Sequence, residues 1–206
     1  MSTTPAEAYH KWFYDSHGWS KGAWCGNQVL KSPTDLILLQ EIIYTNKPQI
    51  IVETGTWCGG SALFMAMVLD QLGEGWIISI DTSDTLNRPT HPRIQYLKGD
   101  SSFQDVGEYA QHMEAGIART MVVLDSDHHY PHVLKELQLW APKVTRGQYL
   151  VVEDTNLNGH PVQPGWGKGP GEAAQDFFNT SKDFKKDTEL LKKYGFSFNS
   201  WYQRVS

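Results

Sequence analysis

A chain of 206 residues is long enough for one domain with a full core and short for two. With 40% apolar and 20% charged residues, a formal net charge of -5 and a pI near 5.9, it shows no basic footprint for nucleic acid or an anionic membrane. No run of 18 apolar residues exists, which excludes a spanning helix, and the two cysteines, Cys25 and Cys58, fit no zinc spacing. The N-terminus lacks the basic-then-apolar order of a signal peptide, so the expectation is a cytoplasmic protein with two free thiols.

Residues 1–32 are rich in rings: Tyr9, Trp12, Phe13, Tyr14, Trp19 and Trp24. So many large side chains predict an arm that caps the core, walls a pocket or makes a dimer contact. "SPTDLILLQEIIYTNKP" (32–48) opens on helix-start residues, repeats apolar positions at Leu36, Leu39 and Ile43, and stops before Pro48. Short apolar runs then alternate with helices. Strands are expected at 49–54, 75–81, 93–100, 120–126, 147–155 and 197–205. Helices are expected at 61–72, at 131–144 with a break at Pro142, at 171–179 and at 187–195. Continuously apolar strands alternating with helices imply an α/β doubly wound, Rossmann-like and mostly parallel sheet, with an N-terminal aromatic-rich helical arm. One domain is expected over 1–206, with arm and first helix in 1–45 and the core in 46–206.

In such a sheet ligands bind beyond the carboxyl ends of the strands, so the residues after each strand carry the information. Every strand exit up to "VVEDTN" carries an acid. The first exit, "IVETGTWCGGSALF", is a Gly-rich turn into a helix, with Glu53, Gly55, Gly59, Gly60 and Ser61. Glycine lets a backbone pass close to a ligand. Asp81 ends the next strand, where a carboxylate accepts from both ribose hydroxyls. No G-K-[ST] follows, and Trp57 stands where a dinucleotide fingerprint needs glycine. Glu53 suits a cation or an amine better than a pyrophosphate. S-adenosylmethionine, which carries a sulfonium and an amino group, fits loop, Asp81 and topology together.

The second constellation is "LDSDHHY" facing "VVEDTN". Neighbouring strands lie about 5 Å apart, so Asp127 or Asp125 would come beside Glu153 and Asp154. Carboxylates so crowded repel unless a cation lies between them, and an all-oxygen shell favours Mg²⁺, with Mn²⁺ or Ca²⁺ as substitutes. His128 and His129 are candidates for the base, and His160 for a cover over the same pocket. "QPGWGKGPGEAA" (163–174) reads as an active-site loop.

These motifs resemble the cephalosporin hydroxylase and rhamnosyl O-methyltransferase family, through "VVLDSDHHYPHVLKELQLWAPKVTRGQYLVVEDTNLNGHPV", "GWGKGPGEAAQDF", "VETGTWCGGSALF" and "SIDTSD". The resemblance covers about residues 30–180. It implies methyltransferases dependent on S-adenosylmethionine, with bound magnesium. It further implies that Glu53 and Gly55 contact the methionine part of the cofactor, that Asp81 holds the ribose, and that Asp100 and Ser101 flank the adenine. Asp127, Glu153 and Asp154 would hold the metal, leaving Asp125 to face the cofactor. Relative to that resemblance, the chain is expected to lack a long C-terminal extension and a second hairpin after residue 195, and it carries Lys168 within the glycine loop. Substrate recognition resides in such segments, so the resemblance does not assign it.

The expectation is therefore an O-methyltransferase acting on a hydroxyl of a small molecule or sugar in natural-product biosynthesis. The metal, with Asp127 among its ligands, would acidify the hydroxyl, and His128 or His129 would take its proton. The expected partner is a small hydroxylated acceptor, with no nucleic acid and no membrane, in a homo-oligomer. An NAD-dependent oxidoreductase and a cofactor-binding, non-catalytic partner of a hydroxylase are the alternatives.

Overall fold

The computed structural model describes residues 3–84, 87–103 and 118–206. Helix α1 (Pro5–Asp15) opens on Thr4, whose hydroxyl accepts from Glu7 N–H, with Pro5 in the first turn. A 3-10 turn at Gly18–Ser20 leads to a two-strand hairpin, β1 (Ala23–Trp24) and β2 (Asn27–Gln28). Helix α2 (Pro33–Asn46) is capped by Ser32, whose hydroxyl accepts from Asp35 N–H at 3.1 Å. Then follow β3 (Ile50–Thr54), α3 (Gly60–Leu72), β4 (Trp76–Asp81), β5 (Ile94–Lys98), β6 (Thr120–Leu124), α4 (Tyr130–Trp140) and β7 (Tyr149–Val152). Helix α5 (Pro170–Phe178), β8 (Phe184–Lys186), α6 (Thr188–Lys193) and β9 (Ser200–Arg204) complete the chain. The break expected at Pro142 is the passage from α4 into a 3-10 turn at Ala141–Lys143.

Among the described residues, seven strands form one sheet in the order β5-β4-β3-β6-β7-β9-β8. The first five are parallel, β9 runs antiparallel to β7, and β8 antiparallel to β9. Strand order reverses between β3 and β6, which opens a crevice above their carboxyl ends. Side chains alternate across the sheet. Ile51, Met121 and Val123 join Leu38, Leu39, Ile43, Met65 and Leu69 on the α2 and α3 face. Ile50, Val52, Val122 and Leu124 join Val133, Leu137 and Trp140 on the α4 and α5 face. Cutting Leu38 or Leu137 to alanine, both 0% exposed, would cost about 2–5 kcal/mol. Among the described residues no helix is long and apolar enough to cross a membrane.

Candidate active site

The β3–α3 turn is shaped by neighbours on both sides. A Cβ on Gly55, at φ +81, would lie 1.7 Å from Asp125 O, so β6 runs hard against the turn. A Cβ on Gly60 would lie 2.0 Å from Gln28 O, because the arm hairpin seats on the start of α3. Gly59 takes φ +73 to begin the helix. Trp57 N–H donates to Asp81 Oδ2 at 2.9 Å, and Ser83 N–H donates to Asp81 Oδ1 at 2.8 Å. Arg88 clamps this corner, donating to Trp57 O at 2.9 Å and lying 3.5 Å from Asp81. The Gly-rich turn and Asp81 thus meet as the sequence predicts.

Glu53 departs from its expected place. Two-residue periodicity turns it with Ile51 toward α3, beneath the turn. There it accepts from the hydroxyls of Ser61 and Ser79, each at 2.5 Å, and is 0% exposed. Burial pushes its carboxyl up to about 7 against the pull of Lys31 and the two serines. Gly55, Thr56 and Ser61 form the cavity wall above it. Ser101 also lines the cavity, donating to Glu136 Oε1 at 2.6 Å, while Asp100 accepts from the N–H and hydroxyl of Ser102.

The acid cluster also differs from expectation. Asp125 N–H donates to Thr54 O at 3.1 Å, so this residue is the strand exit itself and its side chain enters the crevice. His128 lies 3.4 Å from Asp125 through Nε2 and 3.4 Å from Asp154 through Nδ1. Among the described residues, the group whose ligand atoms all lie within 4.8 Å is Asp125, His128 and Asp154. Asp127 is not gathered with Glu153 and Asp154. Two residues past the strand, Asp127 borders the same cavity, but it accepts from His129 N–H at 3.0 Å and pairs with its Nδ1 at 2.5 Å. Its side chain is 51% exposed. His129 faces outward too, stacked on Trp166 at 5.6 Å.

A buried lysine completes the cluster. Lys31, just before α2, has a side chain 1% exposed and sits 2.8 Å from both Asp125 Oδ2 and Glu153 Oε1. Burial opposes its charge, yet Asp125, Glu153 and Glu53 raise its pKa well above the ordinary lysine value. Burial pushes Glu153 up to about 8 despite Lys31, and raises Asp154 despite His128. For Asp125, burial is outweighed by Lys31 and His128, which hold it below the usual value. His128 is pushed up to about 9, because Asp154, Asp125 and Glu153 overcome its burial. Asp125 and Glu153 face Lys31, Asp125 and Asp154 face His128, and Glu153 Oε1 is buried with no hydrogen bond, its contact with Lys31 being an ion pair. This donor set fits a hard divalent cation held by Asp125 and Asp154 with Glu153 behind them.

Turn and cluster line one cavity of about 570 Å³. His132 and Ser126 line it as well, joined at 3.0 Å, with Ser126 donating to the buried Glu136 at 2.8 Å. Tyr14 and Trp19 of the arm and Trp166 of the glycine loop reach the same cavity. His160 instead pairs with Glu172 at 3.0 Å, and Glu172 also accepts from Asn158 and Gly169 N–H. It braces the glycine loop. Lys31 is invisible to a search for strand-end residues because it reaches in from the arm. His132 and Glu136 leave a weak sequence mark, an i, i+4 pair on one helix face.

Comparison with known proteins matches this architecture. The family model described as "Rhamnosyl O-methyltransferase/CmcI" covers residues 16–205. A rhamnosyl O-methyltransferase of Mycobacterium leprae is 38% identical over 198 residues, covering 94% of this chain and 86% of the relative. One from Mycobacterium bovis is 36% identical over 202 residues, covering 95% and 82%. In fold, a solved structure of cmcI with Mg and SAM superposes at TM-score 0.69, with 18% identity over 91% of this chain and 78% of its own. A putative caffeoyl-CoA O-methyltransferase from Staphylococcus aureus gives 0.61, with 11% identity over 98% and 93%. A family match over nearly the whole chain, relatives above one-third identity and a shared sheet lead to one conclusion: the chain belongs to the rhamnosyl O-methyltransferase/CmcI family.

Proposed function

We propose that the protein transfers a methyl group from S-adenosylmethionine to a sugar hydroxyl, assisted by Mg²⁺. The observation that carries this reading is the single cavity in which the Gly55–Ser61 turn and Asp81 meet the cluster of Asp125, His128 and Asp154. Asp81, fixed by Trp57 N–H and Ser83 N–H, presents its carboxylate to the ribose. Asp125 and Asp154 would hold the divalent ion, and Lys31, paired with Asp125 and Glu153, would balance the remaining charge. A bound divalent cation lowers the pKa of a coordinated hydroxyl. His128 accepts the acceptor's proton on a ring nitrogen once its own proton has left. The acceptor oxygen forms the new O–CH₃ bond as the sulfonium S–CH₃ bond breaks, leaving S-adenosylhomocysteine and one proton. The protein's main contribution is in-line orientation of the two substrates.

The relatives' rhamnosyl name supports a deoxysugar acceptor, and the sugar's own carrier would place the reaction in glycoside tailoring. Calorimetric titration of S-adenosylmethionine, then Mg²⁺, tests the reading. Micromolar cofactor binding lost in Asp81→Ala, followed by methylation of methyl α-L-rhamnopyranoside seen by mass spectrometry, is the expected result. A well-folded protein that takes up neither ligand would refute it.

A further inference from the structure

Once the cofactor turn and the acid cluster are assigned, the cavity retains an aromatic share they do not use. Trp166 is 39% exposed, yet its indole is pinned: Nε1–H donates to His128 O at 3.1 Å and the ring stacks on His129. Tyr14 stacks on Trp19 at 5.9 Å and meets Phe198 edge-on at 5.7 Å. All four rings line the cavity beside Asp154 and His128. A large apolar ring held in place with its surface open to water has a use where a ligand covers it.

We propose that Trp166, with Tyr14 and Trp19, forms the acceptor platform, on which a pyranose ring lays its apolar C–H face while its hydroxyl edge turns to Asp154 and His128. The proposal rests on the methyl-transfer reading above and names its acceptor site. A pyranose suits this mixture of surfaces. One face of the ring is apolar and matches aromatic carbon, and its rim of hydroxyls reaches the carboxylates. A deoxysugar, with a methyl in place of one hydroxymethyl, adds apolar contact. A planar catechol would also stack, which makes it the rival ligand. Trp166 determines acceptor affinity on this view, because its indole is attached to the residue that sits between Asp125 and Asp154.

The test titrates full-length protein with methyl α-L-rhamnopyranoside, and separately with catechol, in the presence of Mg²⁺ and S-adenosylhomocysteine. Binding is followed by saturation-transfer NMR, and cofactor uptake by calorimetry. Rhamnoside affinity should fall about tenfold in Trp166→Ala and about threefold or less in Trp166→Phe, with cofactor and Mg²⁺ affinities unchanged in both. Rhamnoside binding indifferent to Trp166→Ala, cofactor uptake without any rhamnoside binding, or preferential binding of catechol would overturn the platform. Rhamnoside binding that depends on Trp166, in a protein that takes up no cofactor, would uphold the platform and refute the methyl-transfer reading instead.

Discussion

At the scale of single residues, the acid cluster distinguishes two neighbouring aspartates. Asp125 is the strand exit and enters the crevice, whereas Asp127 is spent on His129. Asp125→Asn should weaken Mg²⁺ binding by about 10–100-fold in calorimetry, and Asp127→Asn by about twofold or less. The sequence alone could not separate them, because strand-end logic has a tolerance of about two residues. Lys31 behaves differently from either. Removing it leaves buried carboxylates without their fixed counter-charge, a change that destabilises by about 3–5 kcal/mol in comparable buried pairs. Thermal unfolding of Lys31→Met should therefore start lower in chelator, and Mg²⁺ should raise its Tm by more than it raises the parent's. An equal or smaller rise would mean that Lys31 and the cation do not act on the same acids.

Elements explain which parts of the fold were legible. The buried strands β3, β6 and β7 and helices α2 and α3 announce themselves by continuous or periodic apolar residues, and their bounds fall within a few residues of expectation. Strand β8 escaped because it is a three-residue edge strand, Phe-Lys-Lys, with lysines on an open edge. The β1–β2 hairpin escaped because it has two-residue strands around Cys25 and Gly26. The meeting of turn and cluster was readable from strand exits; the arm's contribution to the cavity was not, since no local pattern reports a contact across the whole chain. Glycines give a measurable contrast between tight and open turns. Gly55→Ala should cost more than about 3 kcal/mol in urea unfolding, for its Cβ meets Asp125 backbone at a left-handed φ. Gly26→Ala, at φ +81 but with nothing within 4 Å, should cost only about 1 kcal/mol. The arm helix α1 carries its own pH dependence. Burial lowers His10 to about 4, and its Nε2 pairs with Asn156 Nδ2 at 2.9 Å. A histidine depressed in the folded state is protonated more readily in the unfolded one, so stability is complete above about pH 6.5 and falls as pH drops toward 4. The loss is at most about 3 kcal/mol. In His10→Asn the difference in Tm between pH 7.5 and pH 5 should shrink; an unchanged difference would assign the acid sensitivity elsewhere.

Across the whole molecule, the parallel half of the sheet supplies the crevice, and the two ends of the chain close around it. Lys31, Tyr14 and Trp19 come from the first part of the chain, and Phe198 from the last. Asp35 of α2 accepts from Phe198 N–H at 3.0 Å and also bonds the Ser197 hydroxyl, which ties these two regions together. The mostly parallel sheet and both hydrophobic layers follow from patterning that the strands and helices display locally, whereas the strand order does not. The closure depends on contacts between residues far apart in the chain, and these appear only in three dimensions.

The bond between His10 and Asn156 joins positions 146 residues apart, and it spans from the arm to the segment just after Glu153 and Asp154. Contacts of that separation carry the largest loop-closure entropy and are among the last to form. The arm is therefore expected to open as a unit well below the free energy of global unfolding. Its amides would exchange with deuterium ahead of those in β3 and β6. Any ligand that occupies the cavity would slow that exchange by favouring the closed population, so occupancy of the cavity could be read from α1 without observing the cavity itself.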